Sequence, residues 1–355
     1  LVIRGAAGSG KTTVALHRVA YLAFDDPRID GPETLVVVFS PALRNFVSHV
    51  LPSLGLSNVR IVSYREWVSE ERRRHFRNVS ASLRNDTSAL AQRIKLHPFL
   101  SLALERYVAT HAGAPTAEQA LDDWAGLLCE EELLMATAKE VSPDWDCEAE
   151  IRKFVHEQRV QLEIFYAALG GDESALAELD PEDDALLLRA WQLRVGPLRA
   201  GSKKPLRLRH LVIDEVQDFT QAELRLFLAC CADPNAVFLT GDTCQTIARG
   251  VGFRFDDITT MFFHLREAQA ARLKAEGRTL AEGDCVQVPE VNKLSTNYRT
   301  HNGILGAASE LVSLLLALFP ASVDALAKDR GHFDGPRPLL LSRSTPDDLA
   351  ILLVG

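Results

Sequence analysis

The chain has 355 residues, of which 47% are hydrophobic and 25% charged, and its formal net charge is −9. This composition is that of an ordinary globular protein with about two to three domains. The longest apolar stretch, 311–319, is shorter than the roughly 20 residues that cross a bilayer, so we expect no membrane partner. The acidic balance argues against an indiscriminate nucleic-acid coat protein, although it leaves room for a local basic groove.

Cysteine usage and the first residues indicate a cellular compartment. The six cysteines form no C-x-x-C pair, so we expect reduced, packing cysteines in an intracellular protein of the nucleus or cytoplasm. No signal peptide opens the chain, which starts within an apolar run. We therefore expect it to be a piece of a longer protein.

The first element in chain order is an apolar strand, 1–3, which leads into a glycine-rich turn and then a helical run. The turn consists of Gly5, Ala6, Ala7, Gly8, Ser9, Gly10, Lys11 and Thr12. This spacing and these flanks are typical of a phosphate-binding loop, whose backbone N–H groups face one anion at a helix N-terminus. We expect Lys11 to reach the β- and γ-phosphates and Thr12 to bind Mg²⁺. The turn predicts a nucleoside triphosphate site.

Apolar, β-branched runs predict four further buried strands, at 34–40, 59–63, 208–213 and 236–240. A helical stretch, 43–51, separates the first two of these. Such alternation predicts an α/β fold with a doubly wound parallel sheet flanked by helices and a ligand at the carboxyl ends of its strands.

Three units are predicted. Residues 1–64 and 205–290 would form the ATP-binding domain, and 65–204, where helical spacing and charges dominate, a helical insertion. Residues 291–355 would begin a second α/β domain, with a helix at 303–317 and a strand at 338–342. The chain stops before that domain could close.

An acidic pair follows the predicted strand 208–213. A carboxylate at a strand tip beside a phosphate loop holds Mg²⁺, and Asp214 fits that role. Glu215 can take a proton from the attacking water. An apolar run ending in two acids is common by itself, but together with the phosphate loop it indicates a catalytic site.

Two further positions have open alternatives. Gln245 follows the next strand and can touch the γ-phosphate or its water, although Gly241-Asp242 before it also suits a simple turn. Arg299, in Asn297-Tyr298-Arg299-Thr300, can stabilise charge on the transferring phosphoryl group, but it also suits an ordinary surface arginine.

The motifs together resemble those of superfamily-one DNA helicases of the UvrD/Rep/PcrA type. The set comprises the phosphate loop with its helix, Asp214-Glu215-Val216-Gln217-Asp218, Gly241-Asp242 with Gln245, and Asn297-Tyr298-Arg299-Thr300. The longer run 241–250 is similar to the helicase-like region of large eukaryotic proteins with TPR and ankyrin repeats.

The resemblance implies a P-loop NTPase (RecA-like) fold for the first domain, with 291–355 as the start of a second RecA-like domain. It implies ATP and Mg²⁺ as cofactors and single-stranded nucleic acid, DNA rather than RNA, as partner. It implies that Gln245 and Arg299 sense the γ-phosphate and that Tyr298 stacks near the adenine. It places nucleic-acid contacts at Ser40, Arg44, Ser63, Tyr64, Phe253 and Arg254. Aromatic stacking tolerates any base, which suits a motor, although a core phenylalanine is an equal interpretation of Phe253.

The sequence departs from that pattern in three ways. The adenine-reading glutamine motif is absent, Thr13 stands where relatives carry arginine beside the base, and the last two motifs are missing. We expect little ATPase or unwinding activity from this piece alone. The first hypothesis is an ATP-dependent helicase or translocase on single-stranded nucleic acid. The alternative is a regulatory or scaffold module that binds ATP without unwinding, and a signalling or chaperone-type ATPase is disfavoured.

Overall fold

The computed structural model describes residues 1–201, 204–242, 254–278, 285–318, 330–336 and 338. Its strands are β1 Val2–Gly5, β2 Thr34–Val38, β3 Arg60–Ser63, β4 Ser82–Leu83, β5 Glu178–Leu179, β6 Arg199–Ala200, β7 Lys204–Pro205, β8 His210–Ile213, β9 Val237–Gly241, β10 Val291–Leu294, β11 Thr296–Asn297 and β12 Arg330–Gly331. Its α-helices are α1 Lys11–Asp25, α2 Pro41–Ser53, α3 Tyr64–His75, α4 Ala89–Leu96, α5 Pro98–Thr110, α6 Ala117–Cys129, α7 Glu131–Val141, α8 Glu148–Leu169, α9 Asp183–Arg194, α10 Gln221–Leu228, α11 Phe255–Ala275 and α12 Asn302–Leu318.

Six strands form one parallel sheet in the order β10-β1-β9-β8-β2-β3. Every residue of β2 is buried, because its successive side chains enter apolar layers on opposite faces. Leu35 and Val37 pack on the face that carries α3 and α10. Val36 and Val38 pack on the face that carries α1 and α2. The predicted α/β arrangement, a parallel sheet flanked by helices, is confirmed, and the five strands predicted within residues 1–240 belong to this sheet.

The sixth strand, β10, differs from the predicted organisation. Residues 291–294 were assigned to the start of a second domain, but they pair in parallel with β1, with Val2 opposite Val291. As an edge strand β10 needs no continuous apolar run, and Asn292 and Lys293 interrupt its hydrophobic pattern. The predicted strand 338–342 lies, apart from Pro338, outside the described residues.

The segment between β3 and β8 is mainly helical, with α3 to α9 and two short strand pairs. Its buried residues, such as Phe99 and Phe154, join the same apolar cluster as Leu35 and Leu211 of the sheet. The insertion is therefore packed onto one face of the sheet through a shared core.

Buried ion pairs accompany that core. The Lys95 ammonium donates to Asp180 at 2.7 Å and to Asp183 at 2.8 Å, and all three side chains are fully buried. The Arg72 guanidinium pairs with Asp184 at 2.5 Å. Each of these five buried charges therefore faces an opposite charge, which offsets part of its desolvation cost.

Five of the six cysteines lie in the described residues, and these five form no disulfide. Burial raises the pKa of Cys230 to about 12, so its thiol is unreactive near neutral pH. Within the described ranges, no helix combines the length and the apolar character needed to cross a membrane.

Candidate functional site at the carboxyl ends of the strands

The glycine-rich turn joins β1 to α1, as its sequence pattern predicts. Gly8 and Gly10 have φ angles of 85° and 86°, in the left-handed region that glycine enters without a steric penalty. The Ser9 N–H donates to the Ala6 carbonyl at 3.1 Å and closes the turn. Helix α1 then begins at Lys11, so its free N–H groups lie at the turn.

Lys11 is buried at the first position of α1. Its Nζ donates to the Gly5 carbonyl at 2.8 Å and to the Ala6 carbonyl at 3.3 Å. Both acceptors belong to the turn itself, so the ammonium is held inside the curve of the backbone. An anion bound in the turn would accept a hydrogen bond from this ammonium with little change in the conformation of Lys11.

Thr12 connects the turn to the strand β8, 202 residues later. Its hydroxyl donates to one oxygen of the Asp214 carboxylate at 2.5 Å. The Thr240 hydroxyl donates to the other oxygen, which also accepts the Glu215 N–H at 3.1 Å. Asp214 is 1% exposed, and within the described part of the chain no lysine or arginine forms an ion pair with it. The carboxylate is thus fixed by hydroxyl and amide groups beside the turn.

Glu215 has an unusual backbone. Its φ and ψ of 55° and 49° place it in the left-handed region, and it is the one such non-glycine residue among those described. This conformation costs on the order of 1–3 kcal/mol and persists only where surrounding contacts impose it. Gln217 supplies one contact by donating from Nε2 to the Glu215 carboxylate at 2.8 Å, while its Oε1 accepts the Asp242 N–H at 2.9 Å. The left-handed backbone of Glu215 directs its carboxylate toward the glycine-rich turn.

The segment 297–300, which follows β10, packs against the glycine-rich turn and closes it. Asn297 Nδ2 donates to the Ala7 carbonyl at 2.6 Å, and the Tyr298 N–H donates to the Gly8 carbonyl at 2.9 Å. Asn297 Oδ1 accepts the N–H groups of Arg299 and Thr300 at 3.0 and 2.8 Å. Arg299 is therefore positioned beside the turn by backbone contacts.

These elements surround a cavity of about 340 Å³. Its walls come from the turn, from α2 and from the two segments just described; the lining residues are Ala7, Gly8, Gly10, Lys11, Thr12, Thr13, Leu43, Phe46, Glu215 and Arg299. The structure thus brings together most of the predicted triphosphate residues. Tyr298 lies next to this cavity with 62% of its surface exposed and its ring 5.3 Å from that of His332.

Two predicted residues, Gln245 and Phe253, lie outside the described residues. The predicted nucleic-acid residues that are described have partners inside the protein. Ser40 caps α2 by accepting the Leu43 N–H. Arg254 begins α11, where its N–H donates to Asp257 at 3.0 Å.

Glu66 holds two further predicted nucleic-acid residues. Its carboxylate pairs with Arg44 at 2.5 Å and accepts the Ser63 hydroxyl at 2.6 Å. Tyr64 is 1% exposed, and its ring packs edge-on against Phe219 at 5.2 Å. The Tyr64 ring therefore offers no surface to a nucleic acid in this structure.

Sequence reasoning missed three residues that organise the site: Thr240, Gln217 as the support of Glu215, and Asn297 as the anchor of the turn. Each acts by hydrogen bonds between segments far apart in the chain. One signal was available, because Thr240 lies at the carboxyl end of a predicted strand, where the sheet collects its polar groups.

No protein-family model matches the chain. A segment of 152 residues, 42% of the chain, is 45% identical to "TPR and ankyrin repeat-containing protein 1" of Homo sapiens. The match spans 5% of that protein's length. The name of this relative describes a repeat protein and not a UvrD helicase. The identification of the chain with the UvrD/Rep/PcrA helicases is therefore wrong, and the similarity found is to one short part of a repeat protein.

Proposed function

We propose that this chain is a P-loop ATPase that binds ATP with Mg²⁺ in the cavity at the glycine-rich turn and hydrolyses it. The observation that supports this most strongly is the hydrogen bond between Thr12 and Asp214. A hydroxyl at a helix start and a carboxylate at a strand tip, 202 residues apart, meet where a magnesium triphosphate needs both. A glycine-rich turn with no such function would have no need of a buried carboxylate beside it.

The residues present fit both ligands. The turn offers backbone N–H groups and the Lys11 ammonium to phosphate oxygens. Thr12 and Asp214 offer a hydroxyl and a carboxylate, which suits Mg²⁺ because this ion uses one or two protein oxygens together with substrate phosphates and water. Among the described residues, no three or more His, Cys, Asp or Glu are grouped so that they could hold a metal ion, so a metal held by protein ligands alone is not supported there.

Thr12 and Asp214 would hold Mg²⁺, which would supply positive charge to neutralise the phosphates. The protein's own groups would do the rest. Glu215 lines the cavity and would accept the proton of the attacking water. Lys11 and Arg299 would stabilise charge on the transferring phosphoryl group, from the turn and from the segment that closes it. Gln217 would keep the Glu215 carboxylate in place.

Binding of Mg²⁺–ATP to the purified chain, measured by calorimetry, tests the proposal. Lys11→Ala removes a charged donor and should weaken binding by about 10- to 100-fold. Lys139→Ala removes a lysine of the same charge from the exposed surface of α7 and should change nothing. Equal affinities of the two variants would refute the proposal.

This proposal has two forms. In the first, the ATPase is a motor on single-stranded nucleic acid. In the second, it is a switch that works without nucleic acid. The described residues favour the switch, because Arg44 and Ser63 are held by Glu66 and Tyr64 is buried. The repeat-protein name of the relative is in keeping with a scaffold role. Turnover of the natural full-length protein with and without single-stranded DNA or RNA distinguishes the two. We expect stimulation of less than about twofold, and a larger one would establish the motor.

A further inference from the structure

The helical insertion contains a second cavity, of about 560 Å³, enclosed by α3, α6, α9, the end of α8 and the strand β6. This volume lies in the range of roughly 300–1,000 Å³ that small-molecule sites occupy. Phe76, Leu121, Leu169 and Trp191 supply apolar walls. None of its lining residues also lines the cavity at the glycine-rich turn. The cavity is therefore a separate place in the molecule with an apolar interior.

Trp191 supplies an aromatic wall to this cavity. The residue is 6% exposed, and the rings of His75 and Phe76 pack edge-on against its indole, with centroids 4.8 and 5.7 Å away. The indole is therefore held in place by its neighbours, and its ring adds to the apolar surface that a ligand ring system can contact.

The rim of the cavity is positively charged. Arg77 and Arg199 are both exposed, and within the described ranges neither forms an ion pair with a carboxylate. The Arg199 guanidinium lies 5.8 Å from the centre of the Trp191 ring, so charge and ring belong to one site. Arg74 adds less, because Glu70 and Glu71 already pair with it. The lining holds a single carboxylate, that of Glu118.

His75 adds to the rigidity of the wall rather than to its charge. Its Nδ1 donates to the Glu71 carbonyl at 2.8 Å, and its Nε2 accepts the Arg199 N–H at 2.8 Å. Burial lowers the pKa of His75, in keeping with a neutral ring. The contact also fixes the backbone of Arg199 at the cavity mouth.

We propose that this cavity binds a small amphipathic organic anion, with a ring system among Phe76, Leu121 and Trp191 and an anionic head between Arg77 and Arg199. An apolar interior and two guanidinium groups without a carboxylate partner at one mouth match that chemistry. Guanidinium groups favour carboxylate and phosphate heads, which they can bind through two parallel hydrogen bonds. The site is independent of the triphosphate site.

Fluorescence titration with two probes tests the proposal. The anionic probe is 8-anilinonaphthalene-1-sulfonate, and the neutral one is N-phenyl-1-naphthylamine, which has the same rings without the sulfonate. The whole chain should bind the anion at one saturable site. The double variant Arg77→Gln/Arg199→Gln, changed only at exposed positions, should weaken binding of the anion by about tenfold and that of the neutral probe by less than about twofold.

Three more variants locate the bound probe. Ala117→Trp, at the start of α6 in the cavity wall, should abolish binding of both probes. Phe24→Ala removes an aromatic ring that is 85% exposed elsewhere and should leave both affinities unchanged. Lys11→Ala should also leave them unchanged, which separates this site from the triphosphate site. Unfolding curves of each variant show whether it is folded.

The head group is identified by displacement of the anionic probe. Displacement by 1-naphthyl phosphate but not 1-naphthoate indicates a phosphate ligand, and the reverse indicates a carboxylate. Displacement by neither, equal anion binding by the double glutamine variant, or loss of binding in Phe24→Ala would overturn the proposal. The glutamine variants keep the test decisive if Ala117→Trp does not fold.

Discussion

Carboxylates are buried both at the carboxyl ends of the sheet strands and in the helical insertion, but the two regions neutralise them differently. In the insertion, Asp180 and Asp183 share the ammonium of Lys95. At the carboxyl end of β8, Asp214 is equally buried, and its partners there are the hydroxyls of Thr12 and Thr240 and a backbone N–H. The first arrangement is complete without any other molecule. The second leaves a negative charge beside a turn rich in N–H donors.

This difference distinguishes carboxylates that are buried within the fold from one that is buried at a candidate binding site. A buried charge is costly unless an opposite charge lies next to it. Where the chain itself provides that charge, the group stabilises the fold. Where the chain provides only hydroxyl and N–H groups, as at Asp214, we propose that Mg²⁺ brought with a triphosphate completes the neutralisation.

The largest effect is expected at Glu215. Glu215→Gln keeps the size of the side chain and an oxygen that can accept from Gln217, but it removes the group that accepts the proton. Turnover of ATP by the natural full-length protein should fall by about 10²- to 10⁴-fold, with Mg²⁺–ATP binding unchanged. Glu33→Gln, on an exposed residue before β2, is the matched control. Wild-type turnover in Glu215→Gln would exclude this residue as the base.

The next largest effect is expected in the insertion. Lys95→Met leaves Asp180 and Asp183 buried without their cation and should cost about 3–5 kcal/mol of unfolding free energy. Burial raises the pKa of Asp183, so its protonation relieves the variant in acid. The loss relative to wild type should therefore be smaller at pH 5 than at pH 8. Urea unfolding at both pH values measures it.

Lys139→Met changes an exposed lysine and should stay within about 0.5 kcal/mol of wild type. A Lys95→Met protein as stable as this control would show that the insertion does not depend on its internal ion pairs. The way in which the insertion neutralises its buried carboxylates would then have no effect on its stability.

Acid should destabilise the sheet through His210, at the start of β8. Burial and the nearby Arg18 lower the pKa of His210 to about 4, whereas an unfolded histidine titrates near 6.5. Between these values the unfolded chain binds the extra proton. The unfolding free energy should therefore fall by about 3 kcal/mol as the pH drops from 6.5 to 4.

The His210→Asn variant should lose most of this slope between pH 6.5 and 4, whatever its absolute stability. His264→Asn, at an exposed position on α11, should keep the wild-type slope. Identical slopes in all three proteins would contradict the buried state of His210. Asp183, whose pKa is raised, contributes with the opposite sign, so the two regions differ in pH response.

The smallest effect distinguishes two glycines of the turn. A Cβ at Gly8 would meet Asn297 Oδ1 at 2.9 Å and the Cβ of Arg299, whereas a Cβ at Gly10 would meet nothing within 4 Å. Both have positive φ, so each alanine costs about 1–2 kcal/mol. Gly8→Ala should lose more than Gly10→Ala, in stability and in ATP affinity. Equal losses would show that the 297–300 segment does not close the turn in solution.

The parts that sequence predicted are those encoded locally. The strand Thr34–Val38 is a continuous β-branched run because both its faces are buried, and the turn at Gly8 and Gly10 needs glycine at its left-handed positions. Lys11 and Asp214 could be assigned to one site since the carboxyl ends of parallel strands meet at one edge.

The parts that sequence did not predict depend on contacts between distant segments. Strand β10 has an edge pattern with two polar residues, so its membership of the sheet follows only from its pairing with β1. Nothing local marks Asn297 as the anchor of Ala7, or Glu66 as the partner of Arg44. The Tyr64 ring was assigned to a nucleic-acid surface because its burial against Phe219 has no local signature.

Binding of Mn²⁺, a paramagnetic substitute for Mg²⁺, tests the central claim most directly. Electron paramagnetic resonance titrations would compare the wild-type chain with Asp214→Asn, each with and without ATP. We predict tight Mn²⁺ binding by the wild type only when ATP is present, and binding at least about tenfold weaker in Asp214→Asn. Equal Mn²⁺ affinity of the two proteins in the presence of ATP would contradict a shared metal–triphosphate site.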